Sequence, residues 1–239
     1  MGKKDYIIGV VGGMGSYATL DFFRRILQTF PAEKEWDRPR VIIDNFCTMP
    51  SRVRAVLYNE RRDELVEDLY NSIRKMLEMG ATRIILACNT SHIFLPQILN
   101  LIPNAKNAVL NIIDLCGKEI QSKGIDSIDL IASEGTILSG IYNETFNRYG
   151  IHVNSPNEDQ FSELRGFIEA VKQDKIDDVI QEAFTTYVNL FRHDAVILGC
   201  TELPIIYQNA YEHQYKFKKN IFDPLQSVLN YLRNEYLML

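Results

Sequence analysis

The sequence withholds what several kinds of protein require. Its 239 residues carry 26 Lys and Arg against 31 Asp and Glu, a formal net charge of -5. It therefore lacks the basic excess with which nucleic-acid binders displace counterions from phosphates. No apolar run approaches the roughly 18 residues of a membrane-spanning helix. The N-terminal run from Ile7 to Val11, broken by Gly9, is too short for a signal-peptide core, and Tyr6 stands where a myristoylation signal wants Ser or Thr. The expected location is cytoplasmic, with neither nucleic acid nor membrane as partner. Cysteine is scarce: four residues, at 47, 88, 116 and 200. No two have metal-finger spacing, and disulfides do not persist in a reducing compartment, so a cysteine that matters here is expected to matter as a thiol.

What is present is an ordinary folded composition, 46% hydrophobic and 24% charged. Short apolar runs alternate with longer amphipathic ones, the pattern of parallel strands joined by crossover helices, so the expected class is α/β. Strands are read at 6–11, 40–46, 83–88, 108–111, 127–133, 151–153 and 195–200. Helices are read at about 16–29, 60–79 and 93–101, after the stretch GTILSG, within 158–191, and from Asp223, an N-cap followed by Pro224. Two stretches share one order of features: ATRIILACNTSHIFLPQI (81–98) and HDAVILGCTELPIIY (193–207). Each runs apolar strand, cysteine, small polar residues, then a helical stretch with Leu-Pro. This predicts two similar Rossmann-like domains with parallel sheets and a site in the cleft between them. The first is expected over 1–110 plus about 208–239, completed by the C-terminal helix, and the second over about 111–207.

Cys88 and Cys200 each end an expected strand and precede an expected helix, the position where open α/β sheets bind ligands. A helix N-terminus stabilises a thiolate, which predicts lowered pKa values for both. Two thiols converging on one pocket suit a reaction that takes a proton from one face of a carbon and returns one to the other. Cys47 and Cys116 lack this context and are read as structural. The glycine loop also satisfies G-x-G-x-x-A (Gly13, Gly15, Ala18), and Asp44 ends the second strand. A nicotinamide-dependent oxidoreductase is therefore the rival enzyme. A non-catalytic amino-acid-binding protein is the other alternative.

The motifs GGMG (12–15), DN (44–45), P-x-R (50–52), CNT (88–90), GTI-x-SGIY (135–142), GCTELP (199–204) and DPL (223–225) fall in one order along the chain. In these the sequence resembles the aspartate/glutamate racemase family, cofactor-independent isomerases that invert amino acids with two cysteines. The resemblance implies that Cys88 and Cys200 are the catalytic pair and that no cofactor or metal is needed. It also implies a small amino-acid substrate and a homodimer. It places Met14 and Gly15, Asn89, Thr90 and Ser91, and the facing Thr201 and Glu202, at the substrate. Arg52 is implied to grip a carboxylate, and Lys172 to reach the substrate, with Lys175 competing for that place. Glu202 is expected to bind the ammonium or to point aside, since a carboxylate facing the pocket raises a neighbouring thiol. His92 is read as a cap. Ser16 and Tyr17 depart from the family's usual Pro after the glycines, where substrate preference is expected to differ.

Overall fold

In the computed structural model, which describes residues 2–239, the chain forms two four-stranded parallel sheets. The first half runs β1 (Ile7–Gly12), α1 (Ser16–Thr29), β2 (Arg40–Asn45), α2 (Arg52–Tyr58), α3 (Arg62–Glu78), β3 (Arg83–Leu86), α4 (Leu95–Leu101) and β4 (Val109–Leu110). The second half follows with α5 (Ile112–Ser122), β5 (Ser127–Ile131), α6 (Glu134–Leu138), α7 (Ile141–Asn147), β6 (His152–Asn154), α8 (Phe161–Lys172) and α9 (Asp178–Asn189). It ends with β7 (Ala195–Leu198), α10 (Leu203–Glu212), β8 (Asn220–Phe222) and α11 (Pro224–Leu237). The sheet orders are β2-β1-β3-β4 and β6-β5-β7-β8, one topology used twice. Among the described residues no helix is long and apolar enough to cross a membrane.

Central strands explain the apolar runs. β1 and β3 carry Ile8, Val10, Val11, Ile84, Ile85 and Leu86, all essentially buried, because helices cover both faces of the sheet. The edge strand β2 is more exposed, and its Arg40 and Asp44 reflect that place. One apolar core lies between the two halves and joins Ile8 and Phe22 of the first to Ile128, Leu130 and Tyr142 of the second. α5 and α11 run through this layer; Ile113, Cys116, Leu225, Val228 and Leu232 supply its filling. Each fully buried side chain of this size contributes about 1.5–3 kcal/mol relative to exposure.

The segment from about 208, expected to belong with the first unit, divides. Its strand β8 pairs in parallel with β7 of the second sheet, Val196 opposite Ile221, so backbone hydrogen bonding ties it there. α11 then crosses to the first half. Its Glu235 accepts a hydrogen bond from the Tyr6 hydroxyl at 2.7 Å and is paired with Arg83 of β3. Asp223, which caps α11, also forms a 2.7 Å ion pair with Arg25 of α1.

Candidate active site

Equivalent strands deliver the two thiols. β3 and β7 hold the same place in their sheets, and each is followed two residues later by a cysteine. The residue before each thiol extends the parallel ladder by one bond: Ala87 N–H donates to Val11 O at 2.9 Å and Gly199 N–H to Ile131 O at 2.7 Å. Both cysteines thus sit at the carboxyl ends of central strands, facing the cleft. There they line one small cavity of about 60 Å3 together with Met14, Arg52, Asn89, Thr90, Lys172, Thr201 and Glu202.

Loops and helix starts from both halves close the cavity. Ser51 caps α2 by accepting from the Arg54 N–H, which starts the helix that carries Arg52. The guanidinium of Arg52 donates to Met14 O at 2.9 Å and to Pro50 O at 3.0 Å, while its Nε has no partner. α2 packs against α6 across the cleft, where Gly135 leaves room for the backbone of Val53: a Cβ on Gly135 would lie 3.1 Å from Val53 Cα. Thr90 shares hydroxyl contacts with Thr136 at 2.8 Å and Ser133 at 3.2 Å, again across the halves.

Lys172 reaches the cavity and Lys175 does not: the latter's Nζ donates to Gln173 at 3.0 Å outside it. Burial works against the charge on Lys172, but its 2.8 Å bond to Glu169 and the negative charges of Glu202 and Glu169 outweigh that and raise its pKa.

The expectation of a lowered thiol pKa fails at Cys200. Its pKa is pushed well above the ordinary value, first by burial and then by the charge and hydrogen bond of Glu202. The Sγ donates to Glu202 Oε2 at 3.0 Å. Glu202 is only 2% exposed and does not point aside; its second oxygen, Oε1, is buried without a partner. A helix N-terminus follows, but burial and then the adjacent carboxylate outweigh it.

Two of the sequence-derived residues stand behind the lining. Ser91 is fully buried and donates to the Met14 sulfur at 2.8 Å. Gly15 touches the back of Glu202: a Cβ there would overlap Oε1. Among the other sequence readings, Cys47 is exposed, Cys116 is buried in the core, Ser16 accepts from Asn45 Nδ2 at 3.1 Å, and Tyr17 stays 40% exposed. His92 is a cap of an unusual kind. Its buried ring is held neutral, with its pKa pushed down to about 4 by desolvation, so that Nδ1–H donates to Cys88 O at 2.9 Å and Nε2 accepts from Ile112 N–H at 3.4 Å.

Ser51, Val53, Ser133, Ile168 and Gly199 also line the cavity and were not anticipated as site residues. Ser133 lies two residues before the motif at 135–142, and Ile168 stands one helical turn before Lys172. Those two signals in the sequence could have flagged them.

The glycine loop is used for packing. Gly13 has φ +77, and a Cβ on it would overlap the backbone of Phe46; its N–H donates to the Thr19 hydroxyl at 2.9 Å. Asp44, which a dinucleotide enzyme would turn to a ribose, accepts from the Ser72 hydroxyl at 2.7 Å.

Fold and site together define a two-lobed α/β protein with one thiol from each lobe in a small charged cleft. The family model described as Asp/Glu/Hydantoin racemase matches residues 11–232, and the chain belongs to that family of isomerases. An aspartate racemase of Picrophilus torridus superposes with a TM-score of 0.81 at 27% identity, over 97% of this chain and 94% of that one. The broad-specificity amino-acid racemase RacX of Bacillus subtilis is 26% identical over 206 residues, 82% of this chain and 86% of that protein. A glutamate racemase of Staphylococcus epidermidis is 28% identical over 166 residues, 65% of this chain and 59% of that protein.

Proposed function

We propose that this protein interconverts L- and D-aspartate without a cofactor, by two-base proton transfer at the α-carbon through Cys88 and Cys200. The observation that carries the reading is the set of unpartnered polar atoms around the two thiols. Arg52 Nε and Asn89 Nδ2 are donors without acceptors, and beside them stands the carboxylate of Glu202, whose Oε1 packs against Gly15 without a donor. Buried polar groups left in that state are costly unless a ligand completes them. An amino acid with a second carboxylate does so, offering anions to Arg52, Lys172 and Asn89 and an ammonium to Glu202.

In one direction Cys200, whose proton is held against Glu202, acts as the acid, while Cys88, acting as the base, removes the α-proton from the opposite face. The electron pair left on carbon is stabilised through the substrate carboxylate by the surrounding donors, and the Cys200 proton then completes the inverted product. Cys88 is left as thiol and Cys200 as thiolate, the pair required for the reverse reaction. The RacX likeness leaves room for other amino acids, but the Arg52 and Lys172 charges favour an acidic side chain, and the small cavity favours aspartate over glutamate. A dinucleotide is disfavoured twice, by a cavity of about 60 Å3 and by a glycine loop whose Gly13 N–H is already bonded.

Proton NMR in D2O with L-aspartate, then L-glutamate, tests the reading when combined with chiral analysis of the product. Loss of the α-proton signal together with appearance of the D-form is expected, and Cys88→Ala and Cys200→Ala should each abolish inversion. Full inversion in either variant overturns the two-thiol mechanism. Binding without exchange in the wild type would make the protein an amino-acid receptor instead.

A further inference from the structure

Tyr142, on α7, lies one layer behind the cavity and is fully buried in the core between the halves. Its hydroxyl donates to Asn89 Oδ1 at 2.8 Å across the cleft. Among the described residues this is the hydroxyl's one hydrogen-bond partner. Its other surroundings are apolar: a Cβ placed on Gly199 would lie 2.6 Å from Leu130 Cδ1, 3.0 Å from Ala132 Cβ and 3.3 Å from the Tyr142 oxygen. The ring packs in tilted contact with Phe146 at 5.4 Å between centroids and is fully buried, which holds the hydroxyl towards Asn89. Burial, with the charge of Asp223 adding to it, pushes the phenol pKa well up and keeps its proton in place.

A side-chain amide can face either way, and its neighbours decide which. Turning Asn89 over would set its N–H2 against the phenol and leave the phenol proton without an acceptor. With Oδ1 held by Tyr142, the unpartnered Nδ2 is the end of Asn89 left for the cavity. We infer that Tyr142 is a positioning residue that locks the Asn89 amide so that its N–H2 donors, and not its carbonyl, meet a substrate carboxylate. The inference rests on reading the cavity as an amino-acid site, and it divides the labour there: carboxylate to Asn89, ammonium to Glu202.

Calorimetric titration with succinate and with L-aspartate tests it in the wild type, Tyr142→Phe, Asn89→Ala and the double variant. Succinate has two carboxylates, no ammonium and no stereocentre, so its binding is independent of whether the protein racemises anything. Tyr142→Phe frees the amide to turn and should weaken both ligands by a similar factor, about tenfold for one lost hydrogen bond to a charged group. In the Asn89→Ala background the same change should weaken them no further, because the tyrosine acts through that amide. The wild-type Asn89 side-chain N–H2 resonances should also shift on adding succinate, which needs no variant. Unchanged succinate affinity in Tyr142→Phe, effects that multiply in the double variant, or a wild type that does not bind succinate overturns the inference. Absence of α-proton exchange with succinate binding intact would instead overturn the racemase reading and leave this one standing.

Discussion

The Cys200 thiol donates to Glu202 Oε2 at 3.0 Å, and Cys88 has no corresponding carboxylate among its hydrogen-bond partners in the described residues. Strands of matching position deliver the two thiols, yet their electrostatic settings differ. The negative charge of Glu202, added to burial, holds the Cys200 proton in place.

Replacing Glu202 by Gln removes that charge and keeps the shape. The sign follows directly: a nearby anion disfavours the thiolate, so its loss lowers the Cys200 pKa. Alkylation of Cys200 by iodoacetamide, followed by mass spectrometry across pH, should show its midpoint move to lower pH and its rate at neutral pH rise several-fold. An unmoved midpoint would mean that burial alone sets the thiol.

Two alanine substitutions in the glycine loop should behave differently. Gly13→Ala puts a Cβ at φ +77 against the Phe46 backbone and is expected to cost about 2–4 kcal/mol of stability. Gly15→Ala forces the buried Glu202 carboxylate to shift but leaves the backbone clear, so it should cost less stability than Gly13→Ala while activity falls. Denaturant unfolding paired with an activity assay separates them; equal destabilisation would contradict the packing described for the loop.

Arg52→Lys tests the proposed grip of Arg52 on a substrate carboxylate. A lysine lacks the planar fork that is braced by Met14 O and Pro50 O, and it has no Nε donor left over for a ligand. If aspartate is the substrate, as proposed, its KM should rise about tenfold or more, since a charge-assisted hydrogen bond from Nε is lost. A KM within about twofold of the wild type would remove Arg52 from the substrate.

Acid should weaken the fold through His92. Its pKa is about 4 when buried against an ordinary value of 6.5, so the unfolded chain binds a proton that the folded chain refuses. Stability is then fully present above about 6.5 and declines as pH falls towards 4, by as much as roughly 3 kcal/mol. Melting temperatures of the wild type and His92→Gln over this range check it: the variant should lose less on acidification. Parallel curves would show that other groups carry the effect.

Much of this was legible in the sequence because local chemistry repeats. The Asp223-Pro224 start of α11, α1 following the glycine loop, and the apolar runs of β1, β3 and β7 each carry their signal within a few residues. β8 was not legible: three residues beyond a lysine-rich stretch have no period, and only pairing with β7 makes them a strand. α2 was hidden because it is only seven residues long, Arg52–Tyr58, too short to show a helical period of its own. Both thiols could be placed from sequence, but the reversed shift at Cys200 could not, since a helix start and a carboxylate two residues away compete and burial decides between them. The hydrogen bond from Tyr142 to Asn89 spans 53 residues, a separation at which spacing says nothing.

The unequal surroundings of Cys88 and Cys200 meet a thermodynamic constraint. Enantiomers have equal free energy in water, so a racemase must have the same kcat/KM from either hand whatever its active site looks like. If the two thiols do this chemistry, Glu202 therefore cannot favour one product. Its effect can emerge only as paired changes, one enantiomer bound more tightly and turned over more slowly by the same factor. The asymmetry of the cleft would be invisible at low substrate and plain at saturation.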